Sequence, residues 1–165
     1  MRCVVGRSAY DTAIRSPIPA IHVQVSRSCA EGAAVETWRN RLAGWPGRKV
    51  GLVWGGKPSH RNDHHRSIPL RMFTPLAEVT RIQFVSLQKG KAAEQIADVP
   101  ALKLLDWTTE LNNYDDTAAL IQALDLVISV DTSVAHLAGA LGRAVWTLLP
   151  FVPDFRWMLE RSDSP

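Results

Sequence analysis

The stretch "VISVDTSVAHLAGALG" at residues 127–142 changes its periodicity midway. Val127, Ile128 and Val130 make the apolar run of a strand, whereas Val134, Leu137, Ala138 and Leu141 recur at the i, i+3, i+4, i+7 spacing of a helix face. Asp131, Thr132 and Ser133 therefore occupy a strand-to-helix turn, with the helix expected over 132–142. An apolar strand feeding directly into a helix is the repeating unit of a parallel sheet.

The same alternation extends in both directions. Upstream, "KVGLVWGG" reads as a strand, "PLRMFTPLAEV" as a helix interrupted by Pro75, "IQFVSLQ" and "ALKLLD" as strands, and "YDDTAALIQALD" as a helix burying Leu120, Ile121 and Leu124. Downstream, "AVWTLLP" completes a fifth strand. Helical crossovers return the chain in the same direction, so about five strands run parallel, and runs such as "LVISV" fit a sheet covered on both faces. The expected fold is α/β, a Rossmann-like doubly wound parallel sheet, with the common strand order 3-2-1-4-5.

Residues 1–47 differ in texture. "RSPIPAIHVQVSR" carries two prolines, and in "AVETWRNRLAGWPGR" the residues Val35, Trp38 and Leu42 fall at helix spacing. This predicts an irregular N-terminal arm and a linker helix over 1–47, followed by the sheet domain over 48–165. The chain ends at "RWMLERSDSP" with no closing helix, so the sheet domain is expected to be truncated at its C-terminus. At 165 residues there is room for one core, and 46% hydrophobic with 21% charged residues is a globular composition. No internal repeat or low-complexity tract occurs.

A formal net charge of +3, with basic residues scattered except around 57–71, argues against a nucleic-acid partner. Cys3 and Cys29 lack zinc-site spacing, so a reducing, cytoplasmic setting is expected. Arg7, Asp11 and Arg15 break any signal-peptide core, and no 18 apolar residues run together, so no transmembrane segment is expected.

Ligands of doubly wound sheets bind beyond the carboxyl ends of the strands, where the strand order reverses. There the loop "GGKPSHRNDHHRS" after the first strand would face "DTS" after the fourth. The first amides of a helix lack intrahelical partners and carry the positive end of the dipole, so Thr132, Ser133 and Val134 can cradle a phosphate. The alternative is that Asp131 or Thr132 merely caps the helix, worth about 1 kcal/mol. His136 shares a helix face with Thr132 and either donates to a phosphate oxygen or hydrogen-bonds the neighbouring strand. Gly139 is read as permitting close helix-to-sheet packing and Gly142 as a helix C-terminal glycine.

In the first loop, Gly55 and Gly56 allow close backbone approach, and Lys57, His60, Arg61, His64, His65 and Arg66 suit a polyanionic ligand. Its histidines and Asp63 match no metal-ligand spacing, so no metal is expected. Asp115 and Asp116 are read as caps of a helix beginning near Thr117. The signatures of serine hydrolases, P-loops and dinucleotide folds are missing.

Taken together, "KVGLVWGGKPSHRNDHHRSIPL", "FVSLQKG" and "LDLVISVDTSVAHLAGALGRAVWTLLPFVPDFRW" resemble the C-terminal half of family 9 glycosyltransferases, which include heptosyltransferases, and among them the branch fused to tetratricopeptide repeats. The resemblance covers roughly residues 17–165. It implies one half of a bacterial GT-B fold that holds a nucleotide-diphosphate sugar, commonly ADP-linked heptose, with no other cofactor required. The family's D-[ST]-G-x-x-H-x-A segment falls on Asp131, Thr132, Ser133, His136 and Ala138, with Ser133 where the family often has glycine. Its K-x-W-P segment falls on "RSIP", which gives Arg66 the lysine's role on the donor phosphates and sets Ile68 at the tryptophan. The acidic ribose contact falls on Glu94.

In that family the catalytic base belongs to the other half, so no catalytic residue is assigned and the chain is expected to be inactive alone. An acceptor domain or partner chain is then expected to complete the cleft. The rival reading is a non-catalytic interaction module whose exposed apolar faces, with Trp146 and Trp157, serve self-association or a partner.

Overall fold

Five apolar segments bounded by turn residues become strands in the computed structural model, which describes residues 2–6, 29–61 and 63–150. They are β2 (Arg48–Val53), β3 (Ile82–Ser86), β4 (Leu105–Asp106), β5 (Leu126–Val130) and β6 (Val145–Leu149). All five run parallel, in the spatial order β6-β5-β2-β3-β4. This is the expected 3-2-1-4-5 order of a Rossmann-like sheet, with the reversal between β2 and β5. β2 and β5 are buried over their last four residues, 50–53 and 127–130, because both faces are covered there, which is why those stretches carry no charged side chain.

A sixth strand corrects the expectation of a wholly irregular arm. β1 (Arg2–Gly6) pairs antiparallel with β6, with Arg2 opposite Leu149 and Gly6 opposite Val145. An edge strand leaves a row of unpaired backbone groups, and β1 satisfies those of β6. Of the N-terminal features, "RSPIPAIHVQVSR" lies outside the described residues, as do Trp157 and the "RWMLERSDSP" end.

One face of the sheet is covered by α1 (Cys29–Ala43), α3 (Tyr114–Gln122) and α4 (Ser133–Ala140). Val35, Trp38 and Leu42 of α1 are buried as their spacing predicts, and they share one core with Val85, Leu120, Ile121, Val127 and Leu137. The linker helix thus packs into the same core as the sheet. The opposite face carries a second core of Leu52, Trp54, Leu70, Phe73, Phe84 and Ile128.

That second layer is built from 3-10 turns rather than the predicted α-helix. Leu70–Glu78 and Lys91–Asp98 are both 3-10 segments, the first with Pro75 inside it. Proline has no N–H to donate and its ring crowds the preceding turn, so an α-helix cannot run through this segment undisturbed. The third predicted strand also shrinks to Leu105–Asp106, because Pro100 opens a 3-10 turn over Pro100–Leu102 and Lys103 turns left-handed at φ 46°. α3 starts at Tyr114, where "YDDTAALIQALD" begins and three residues before the start near Thr117 that the capping reading of Asp115 and Asp116 implied. Asn113 accepts from the Asp116 amide at 2.8 Å while Asp116 accepts from the Asn113 amide, a reciprocal cap that fixes the start.

Gly142 ends α4 as read, at φ 68°, with the Arg143 amide reaching back to the Ala138 carbonyl at 2.9 Å. The reading of Gly139 is corrected: a Cβ there would meet nothing within 4 Å, so no close packing requires the glycine.

Candidate functional site

A cavity of about 640 Å³ opens beyond the carboxyl ends of β2, β3 and β5, at the point of strand-order reversal. Gly55, Gly56, Lys57 and Pro58 after β2 form one wall, and Leu87 to Gly90 after β3 form another. Thr132, Ser133 and Val134 at the start of α4, Asn112 to Tyr114 at the start of α3, and Arg66 close the rest. Three basic side chains, Lys57, Arg66 and Lys89, line it, and among the described residues no carboxylate does. Such a lining favours an anion.

The helix after β5 receives no cap from the Thr132 side chain. Thr132 has the extended backbone of an N-cap, φ −138° and ψ 169°, yet its side chain makes no capping hydrogen bond. Its hydroxyl instead lies 2.9 Å from Ser129 Oγ. The Ala135 amide is the first to bond back, to the Thr132 carbonyl at 3.1 Å, ahead of it stand the Ser133 and Val134 amides at the cavity. Thr132 therefore does not cap α4 through its side chain, and Ser133 and Val134 stand with the positive end of the α4 dipole at an open volume.

Arg66 comes from α2 (Asp63–Arg66), a single turn set against the first loop. Its Nη1 donates to the Asp131 carbonyl at 3.3 Å, a long bond, and its Nε is buried without a hydrogen-bond partner, 3.6 Å from Asp63 Oδ1. Asp63 in turn accepts from Ser67 Oγ at 2.8 Å. Gly56 is needed here: a Cβ would stand 2.4 Å from Asp63 Oδ1 and 3.0 Å from the Arg66 guanidinium. The Nε edge is thus taken up by Asp63, and the rest of the partly exposed guanidinium lines the cavity, where it can donate to an anion.

The structure thus gathers Gly55, Gly56, Arg66, Thr132, Ser133 and Val134 into one cavity. Asp131 is buried just behind it, and His136 is half-exposed with Nε2 3.6 Å from Asp131 Oδ1, outside the lining. Glu94 is exposed on the Lys91–Asp98 segment and does not line the cavity. Ile68 packs against the second core, its amide donating to the Trp54 carbonyl at 2.8 Å. Sequence reasoning missed Gln88, Lys89, Asn112, Asn113 and Tyr114, whose hydroxyl reaches Ser133 Oγ at 3.2 Å. The polar "LQKG" that halts the β3 apolar run was the signal for the first two. Among the described residues no group of three or more His, Cys, Asp or Glu is placed to hold a metal, and no helix is long and apolar enough to cross a membrane.

Comparison with known proteins gives a similarity over the same elements. Residues 88–150 match glycosyltransferase family 9 (heptosyltransferase). The chain is also 29% identical over 155 residues to "Protein FlbA" of Caulobacter vibrioides, an overlap of 86% of this chain and 26% of that protein. It spans about a quarter of that relative's length. No solved structure matches significantly. The matched segment runs from Gln88 through α3, β5 and α4 to the end of β6, so the part of the chain that supplies the turn into α4 is the part that is similar to a glycosyltransferase.

Proposed function

We propose that the cavity binds the diphosphate of a nucleotide-diphosphate sugar, ADP-linked, as the donor for glycosyl transfer to an acceptor held by another domain or chain. One observation carries the reading: the start of α4, which has no cap from Thr132, and Arg66 line the same cavity, with Lys57 and Lys89 beside them and no carboxylate among the described residues. A pyrophosphate brings negative charge and several acceptors, which suit these cations and the start of a helix. The similarity to glycosyltransferase family 9 supplies the sugar.

In this reading the Ser133 and Val134 amides take one phosphate and Arg66 the other, while the nucleoside extends along the wall of Asn112, Asn113 and Tyr114. The remaining share of the work, activation of the acceptor, is assigned to no residue of this chain. The protein acts as a donor-holding half and is inactive by itself.

Calorimetric titration with ADP, UDP and GDP at low salt tests this, because exposed charge interactions fade within a Debye length of about 10 Å at 0.1 M. Saturable binding of ADP is expected, weakened about tenfold or more in Arg66→Ala, as befits loss of a charged hydrogen-bond donor. Absence of binding by all three nucleotides would refute the donor site and favour an interaction module.

A further inference from the structure

We infer that Gln88 is a positioning residue of the cavity, joining the chain after β2 to the chain after β3 so that the cations on the two walls face the ligand at a fixed spacing. The inference rests on the donor-site reading and extends it to a residue that touches no phosphate.

The parallel ladder between β2 and β3 runs out at Leu52 and Ser86, with one further bond from the Leu87 amide to the Leu52 carbonyl at 3.0 Å. Beyond it the two chains are linked by a side chain. Gln88 is 3% exposed, and its Oε1 accepts from the Trp54 amide at 3.0 Å and the Gly55 amide at 2.7 Å. Its Nε2 donates to the Gly55 carbonyl at 3.1 Å and the Lys89 carbonyl at 2.9 Å. Both lone pairs and both amide hydrogens are used, which is the full capacity of the side chain. Three of the four bonds go to the β2 side, so the amide substitutes for a ladder that has ended.

Both segments leave this knot directly into the cavity wall. Lys57 follows two residues after Gly55, and Lys89 is the next residue after Gln88. An apolar side chain of the same size would leave three buried backbone groups and the part-buried Lys89 carbonyl without this partner, and the walls could separate. A second buried glutamine provides the contrast. Gln83, on β3 itself, donates to the Phe84 and Lys103 carbonyls at 2.9 and 3.0 Å and does not line this cavity.

The test compares Gln88→Met, Gln88→Glu and Gln83→Met in the full chain, reading ADP affinity by calorimetry and amide exchange residue by residue. Gln88→Met is expected to weaken ADP about tenfold and to speed exchange at Trp54, Gly55 and Lys89 while α4 keeps the parent's rates. Gln88→Glu keeps the acceptor half of the knot but brings a negative charge to the wall, so its exchange at Trp54 and Gly55 falls between while ADP weakens at least as much as in the methionine variant, and its exchange stands in if that variant does not fold. Gln83→Met lowers the melting temperature but leaves affinity unchanged. Parent-like affinity and parent-like exchange in both Gln88 variants would overturn the inference, as would faster exchange spread evenly over the sheet. If the parent itself binds no ADP, the donor-site reading fails on its own, and the exchange comparison still decides whether Gln88 holds the two walls together.

Discussion

At Thr132 the chain forgoes a helix cap that its side chain could have made. The hydroxyl is turned to Ser129 Oγ, 2.9 Å away, and a cap worth about 1 kcal/mol is left unformed where the cavity begins. The glycines around the site divide by the same kind of accounting. Gly56→Ala would drive a Cβ to 2.4 Å from the Asp63 carboxylate and is expected to destabilise by about 1–3 kcal/mol. Gly139→Ala adds a methyl to open space within a helix and is expected to stabilise by about 0.5–1 kcal/mol. Opposite shifts of the melting temperature in the two variants check both; shifts of the same sign would contradict this reading. The spacing of Val134, Leu137 and Ala138 announced the helix, but nothing in the sequence told these two glycines apart, because what a Cβ would meet depends on elements far along the chain.

Among the elements, α1 is tied to the cavity rim by one exposed pair. Arg41 grips Glu110 with two hydrogen bonds, Nη1 to Oε2 at 2.5 Å and Nη2 to Oε1 at 2.9 Å, and its guanidinium lies 4.8 Å from the Trp38 ring and 4.5 Å from Trp107. Glu110 leads straight into the segment that caps α3, and the Lys89 ammonium donates to the next carbonyl, Leu111. The hydrogen bond from Arg41 holds the Glu110 carboxyl below its ordinary value of 4.5 and raises the guanidinium of Arg41 in turn. A depressed carboxylate contributes stability above its unfolded value and loses it as pH falls through the folded one. The difference in melting temperature between the parent and Arg41→Gln should therefore be largest above pH 4.5, shrink on acidification below it, and shrink with added salt. A difference independent of pH would show that Arg41 acts by packing alone. This pair was not legible in the sequence, since Arg41 and Glu110 are 69 residues apart. The elements themselves were mostly legible, as apolar runs bounded by glycine and proline. The exceptions were β1, whose five residues gain a partner only through β6, and the 3-10 layer, where Pro75 outweighs helix periodicity.

In the whole molecule, the position of the cavity follows from the strand order. Parallel strands present helix N-termini at one edge of the sheet, and the reversal between β2 and β5 opens a gap that the loops after them must line. The alternation of strand and helix made this much readable, together with Gly55, Gly56, Arg66 and the turn at 132–134. Tyr114 and its two asparagines were unreadable because they reach the cavity only when α3 packs beside α4. The central claim is that this gap receives a nucleotide's diphosphate on the first amides of α4. The most direct measurement is the chemical shift of the Ser133 and Val134 amides in the full chain during parallel titrations with ADP and adenosine. The account predicts large, saturable shifts at both amides with ADP and at neither with adenosine; unmoved amides at saturating ADP would contradict it.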